Sequence, residues 1–131
     1  MAKLTQLRTM LTANDLDETV AFYARLGFEC VGTFGEPELT WCQVARDDVR
    51  LMFTKGDAEP HDHGDGVLHA DVPELSGSIY LDVDDVDGLF AEVGAGLDTV
   101  EWEPTTFPHG MREFAVRDCN GYLLMFGTPV A

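Results

Sequence analysis

LTANDLDETVAFYARLGF, residues 11–28, and LDVDDVDGLFAEVGAG, residues 81–96, follow one pattern. Each opens on apolar alternation and passes an Asp where a helix N-cap belongs. Apolar residues at helical spacing follow, and a Gly stands at or next to the end of each. Asp15-Leu16-Asp17 aligns with Asp85-Val86-Asp87, 70 residues later. Downstream, VARDDVRLMF (44–53) aligns with VRDCNGYLLMF (116–126), so Leu51-Met52-Phe53 matches Leu124-Met125-Phe126, 73 residues later. The offset drifts by three, as an insertion between the matched stretches would produce. Self-similarity of this kind means two copies of one supersecondary unit.

The local grammar extends in both directions. Alternating stretches at 6–12 and 76–83 predict the leading strands. Leu16, Val20, Phe22, Tyr23 and Leu26 carry the first helix. Val86, Leu89, Phe90 and Val93 carry the second. Gly27, and Gly94 or Gly96, supply the stops. Three strands close each copy: Glu29–Phe34, Thr40–Ala45 and Arg50–Thr54, then Thr99–Glu103, Arg112–Val116 and Tyr122–Gly127. Asp47-Asp48 and Asn120-Gly121 sit where hairpin turns belong. The fold class is α+β, with a βαβββ module at 6–56, a Gly/Pro-rich linker at 57–75 and a second module at 76–128. Neither half is large enough for a good core alone, so 1–131 is expected to be a single domain, or to exchange modules with a partner.

Composition narrows the function. The 131 residues are 45% hydrophobic and 24% charged, an ordinary globular balance. No apolar run reaches a membrane span, and MAKLTQLRTM has no signal-like apolar core, so a soluble, cytoplasmic protein is expected. Eight Lys+Arg stand against 24 Asp+Glu, a formal charge of −16. Such a polyanion repels phosphate backbones and anionic lipid, which excludes nucleic acid and membrane as partners. It suits solubility, as in salt adaptation, and it steers small cations inward. Cys30, Cys42 and Cys119 are odd in number with no C-x-x-C, so neither a disulfide framework nor a zinc site is expected. Cys30 and Cys42 fall in apolar strands and are expected as buried thiols.

D-L-D-x-x-x-x-F-Y-x-x-L-G-F in the first copy and R-D-x-N-G-Y-L-L-x-F in the second carry a family resemblance. The chain resembles the vicinal oxygen chelate superfamily: glyoxalase I, extradiol dioxygenases, fosfomycin-resistance enzymes and bleomycin-resistance binding proteins. The likeness runs from Leu7 to Gly127. Cys119 stands where a Pro is usual, in a turn. The resemblance implies two tandem modules forming an eight-stranded, cup-shaped mixed sheet with helices on the outer face. It also implies a homodimer, which an open cup with exposed edges favours physically. The metal enzymes of the family place ligands at four positions that here are Arg8, Met52, Ser78 and Met125. None is an ordinary ligand for a divalent cation, and no metal or other cofactor is expected. Neighbouring residues offer nothing better.

Strand alternation assigns Leu51, Phe53, Ile79, Leu81, Val83, Phe114, Val116, Leu124 and Phe126 to the face under the helices. The concave face then receives Arg8, Met10, Trp41, Gln43, Met52, Ser78, Tyr80, Glu113 and Met125. Arg8 and Glu113 are placed to balance each other there, as a buried ion pair or as polar anchors for a ligand. Trp102, Phe107 and His109 fall on a loop-rich stretch near the expected mouth. This apolar, aromatic and sulfur-rich lining suits a small-molecule pocket, while core packing is the plainer role for its aromatics and methionines. His61, His63 and His69 match no strong zinc spacing and read as a solvated loop.

The leading functional reading is a binding protein that sequesters an aromatic or cationic small molecule, of the antibiotic-resistance type. The alternative is an enzyme of the same fold, either glyoxalase/lyase-like or dioxygenase-like. It would be metal-dependent through unexpected ligands, or metal-free with Glu113 as general base. An interaction module or sensor is a third class, which no extra domain supports.

Overall fold

Asp15 and Asp85 start the two helices. The computed structural model describes residues 1–56, 61–62, 68–69 and 77–130. In it each Asp side chain accepts from the backbone three residues on, Glu18 N to Asp15 Oδ1 and Gly88 N to Asp85 Oδ1, both at 3.0 Å. Such caps contribute about 1 kcal/mol each. Helix α1 spans Leu16–Arg25 and α2 spans Val86–Val93. Gly27, at φ 82°, ends α1 in the left-handed conformation. The second stop differs from expectation. Gly94 has φ −63° and opens a 3-10 turn, Gly94–Gly96, so no left-handed glycine ends α2.

The leading strands are β1 (Thr9–Ala13) and, in the second copy, β7 (Ile79–Asp82). β2 (Glu29–Phe34), β3 (Trp41–Arg46) and β4 (Val49–Lys55) complete the first module. β8 (Val100–Thr106), β9 (Met111–Arg117) and β10 (Leu123–Pro129) complete the second. These eight strands form two four-stranded mixed sheets of identical order, β1-β4-β3-β2 and β7-β10-β9-β8. The leading strand is parallel to its neighbour in each sheet and the other pairs are antiparallel. The sequence repeat is thus a repeat of topology, two tandem βαβββ units. The segment read as a linker carries one further antiparallel pair, β5 (His61–Asp62) with β6 (Leu68–His69). The expectation for His63 lies outside the described residues.

The helix-covered faces make the core. Leu51, Phe53, Phe114, Val116, Leu124 and Phe126 are buried beneath Leu16, Phe22, Tyr23, Leu26, Val86 and Val93, in one cluster shared by both modules. Tyr23 packs against Phe53 and Phe28 at centroid distances of 5.1 and 5.6 Å. Phe114 stacks on Phe126 at 4.9 Å. Each such side chain contributes about 1.5–3 kcal/mol of burial. Cys42 is buried as expected, but Cys30 is exposed. It pairs in register with buried Val44, but on edge strand β2, which is exposed along nearly all its length.

The modules are joined through the β9–β10 turn. Asp118 is buried and accepts from Tyr23 Oη at 2.7 Å and from the backbone N–H groups of Asn120 and Tyr122. Asn120 Nδ2 donates to Thr19 Oγ1 at 3.1 Å, and Asn120 Oδ1 accepts from Asn14 N. Tyr122 Oη donates to the Thr12 carbonyl at 2.7 Å. Burial holds the Asp118 carboxyl above its ordinary range, with these hydrogen bonds pulling it back.

Candidate functional site

Strand register decides what the helix-free faces present. In the first sheet one rung holds Met10, Met52, Gln43 and Gly32, and the next holds Thr12, Thr54, Trp41 and Phe34. Gly32 lets the Trp41 indole lie across it, since a Cβ there would stand 3.2 Å from the ring. Arg8, just before β1, donates to Gln43 Oε1 at 3.0 Å. Arg8 therefore does not pair with Glu113. It is exposed and anchored on its own sheet, whereas Glu113 is buried on the other.

The second sheet carries the denser chemistry. One rung holds Tyr80, Met125, Ala115 and Trp102, and the next holds Asp82, Gly127, Glu113 and Thr105. Tyr80 Oη donates to Glu113 Oε2 at 2.7 Å. The phenol reaches that far because Gly127 lies beneath it; a Cβ at Gly127 would collide with the hydroxyl. Burial, then the bond to Glu113 and its charge, push the Tyr80 hydroxyl up to about 12. At neutral pH Tyr80 is therefore a donor. Glu113 is 3% exposed, and His109 Nε2 stands 3.6 Å from the same Oε2.

An aromatic run extends from this centre. The His109 ring stacks on Phe107 at 5.6 Å and 18°, and Phe107 meets Trp102 edge-on at 6.2 Å. Phe107 and His109 lie in the β8–β9 turn, which Phe107 N closes onto the Met111 carbonyl at 2.8 Å. Trp102 is inside β8 and not in a loop. Its Nε1–H is buried without a hydrogen-bond partner among the described residues. A buried donor left unpaired is costly, so this N–H is an open demand for an acceptor.

The structure thus brings Tyr80, Trp102, Phe107, His109, Glu113 and Met125 together. It sets Arg8, Met10, Trp41, Gln43 and Met52 on a separate face. Ser78 is exposed just before β7. Among the described residues, the hydrogen bonds and ring contacts of each group stay within its own sheet. Both faces expose large apolar side chains: Met10 and Phe34 are 54% and 73% exposed on the first and Tyr80 is 40% exposed on the second. Of the sequence positions matched to metal ligands, none places a His, Cys, Asp or Glu. Among the described residues no three such side chains gather around one point. Burial pushes the Cys42 and Cys119 thiols up to about 11, so neither is a thiolate nucleophile at neutral pH. Gly127 was missed as a site residue, although a glycine inside a strand signals close approach of another group.

The family described as Glyoxalase/Bleomycin resistance protein/Dioxygenase superfamily matches residues 5–126. No curated protein matches the sequence. Among solved structures, TioX from Micromonospora sp. ML1 is similar at 20% identity and a TM-score of 0.73, over 96% of this chain and 99% of that one. A bleomycin-binding protein complexed with bleomycin is similar at 25% identity and 0.69, over 95% and 98%. A lactoylglutathione lyase from Agrobacterium tumefaciens is similar at 22% identity and 0.66, over 98% and 96%.

Proposed function

The chain belongs to the glyoxalase/bleomycin resistance protein/dioxygenase superfamily, and from that premise we propose that it sequesters an aromatic or cationic small molecule without a metal. The observation that carries this reading is the second-sheet face. A flat aromatic run, Trp102–Phe107–His109, ends at a buried carboxylate, Glu113, that Tyr80 holds in place. Aromatic faces stack on flat or cationic groups, and Glu113 supplies negative charge. The Trp102 N–H, without a partner among the described residues, adds a demand for a hydrogen-bond acceptor on the same ligand. The similarity to a protein solved with bleomycin supports the antibiotic-resistance type.

The proposed assembly is a homodimer. The first-sheet face of one copy closes over the second-sheet face of its partner, which buries Met10, Phe34 and Tyr80 twice over. Arg8, Trp41, Gln43 and Met52 then complete the lining.

Bleomycin is the first probe. The expected result is saturable quenching of tryptophan fluorescence, weakened by Glu113→Gln, with well under one equivalent of metal in the purified protein. One tightly held equivalent of zinc, nickel, iron or manganese would refute the metal-free reading. Failure of bleomycin and of a panel of aromatic cations to quench would refute sequestration.

A second reading is metal-free acid–base catalysis, with Glu113 as base. It is favoured by the convergence of Tyr80 and His109 on one carboxylate oxygen. Turnover of 2-oxoaldehyde–thiol adducts, abolished by Glu113→Gln, would select it.

A further inference from the structure

On the helix side, away from both faces described above, a cleft of about 590 Å3 opens between the modules. Its floor is apolar, made by Leu26, Phe28, Leu89, Val93 and Phe126. Its rim is acidic, with Asp47 and Asp48 from the β3–β4 turn facing Asp84 and Glu92 from the α2 side. Six carboxylate residues line the cleft against a single basic one, Arg46. That guanidinium is already engaged: it donates to the Leu26 carbonyl at 2.7 Å and to both Glu92 oxygens at 3.2 Å.

The internal repeat explains why this space exists. Aligning Asp15 with Asp85 pairs Thr19 with Leu89 and Tyr23 with Val93. Aligning Val44 with Val116, which occupy matching rungs, pairs Asp48 with Asn120. In the first junction, Tyr23 and Thr19 reach the β9–β10 turn and bond to Asp118 and Asn120. In the second, the corresponding helix residues are Leu89 and Val93, which carry no hydroxyl to cross the gap, and they line the cleft together with aspartates. The hydroxyls that cross one junction are absent from its twin, where Arg46 reaches Glu92 at 3.2 Å and Asp47 at 3.7 Å, and what remains is a hydrophobic floor beneath a rim on which Asp48 and Asp84 have no ion-pair partner among the described residues.

We propose that this cleft binds an amphipathic amine, its apolar body on the Leu89–Val93–Phe126 floor and its ammonium among Asp47, Asp48 and Asp84. The volume falls within the range of about 300–1,000 Å3 that holds small molecules. The chain's charge of −16 draws cations toward the rim and repels anions. Stacking and the Trp102 donor play no part here, so the site is independent of the sheet faces.

The test uses the full chain and n-octylammonium, with 1-octanol as the uncharged counterpart. Calorimetric titration and amide chemical-shift mapping are expected to show saturable amine binding, with shifts centred on Val49, Leu89 and Phe126. The alcohol binds more weakly. The double variant Asp48→Asn/Asp84→Asn, altered only at exposed positions, loses about tenfold in amine affinity, whereas Trp41→Ala binds the amine as the unaltered chain does. No saturable binding, shifts centred on Tyr80 and Met125, equal affinity for the alcohol, or an unaffected double variant would each overturn the proposal.

Discussion

Tyr80 lies across Gly127 to place its hydroxyl 2.7 Å from Glu113, so a residue without a side chain sets the position of a buried carboxylate's partner. Gly127→Ala puts a methyl group where the phenol rests and is expected to eject it. The cost is about 1–3 kcal/mol, that of leaving a buried charged group without its donor. Tyr80→Phe should cost a similar amount, and the double variant less than the two together, since both remove one contact. Urea unfolding of the four proteins checks this; additive losses would show that Gly127 and Tyr80 are uncoupled.

Tyr80 also gives an alkaline signature. Its folded hydroxyl holds its proton to about 12, against 10.0 for the ordinary phenol. Unfolded chain therefore releases that proton first, and stability falls as pH climbs from about 10 to about 12. Tyr80→Phe is expected to flatten this fall relative to the unaltered chain in denaturant titrations across that window.

Tyr23 and Asp118 make the corresponding acidic prediction. Tyr23→Phe removes a buried donor from a carboxylate and is expected to cost about 1.5–3 kcal/mol at neutral pH. Asp118 is held above its ordinary range by burial, so the native state keeps this proton where the unfolded chain has lost it. Stability from this group is thus present in acid and declines as pH rises through its folded value. The Tyr23→Phe deficit should shrink in acid, where the carboxyl is neutral. Unfolding measured at several pH values reads both effects.

Trp41 separates lining from core. Its ring lies on Gly32 and is only half-buried. Trp41→Ala should cost well below the roughly 3–5 kcal/mol of a core tryptophan while weakening bound aromatic ligand by about 1–3 kcal/mol. A large stability loss with unchanged ligand affinity would make Trp41 a packing residue.

The exposed apolar side chains predict association. Light scattering at micromolar concentration should give twice the 14.4 kDa chain mass. The double substitution Met10→Asp/Phe34→Asp places charge on both exposed apolar positions and should return the monomer. A monomer in the unaltered chain would refute the closed two-copy site.

The repeat, the two Asp caps and the strand faces were legible because each depends on residues near one another in sequence. Asp15 and Asp85 cap helices whose first residues follow directly, and Phe53 or Phe126 declares its face by alternation. The face that each candidate residue occupies was legible, but not which residues pair. Arg8 and Glu113 share a face type but stand on different sheets, and only register could separate them. The Tyr80–Gly127–Glu113 contact spans three strands, beyond the reach of any local pattern. Asn120 looked like a turn residue, and it is one; its side-chain bonds to Thr19 and Asn14 depend on how the modules meet. Cys30 shares a rung with buried Val44 yet stays exposed, because β2 is the outer strand and is exposed along nearly all its length, a position that no local spacing announces.

The bonds across the β9–β10 turn connect residues 95 to 110 positions apart in the chain. During synthesis, α1 and its sheet emerge long before Asp118, Asn120 and Tyr122 exist to receive them. Contacts of such separation are slow to close, so the Tyr23 hydroxyl has no carboxylate to receive it until the β9–β10 turn leaves the ribosome, whereas Thr19 already bonds the Asp15 carbonyl within its own helix. The first module waits half-finished for the last few residues of the second, and a nascent chain stalled before Asp118 should be cut by protease within α1 where the released protein resists.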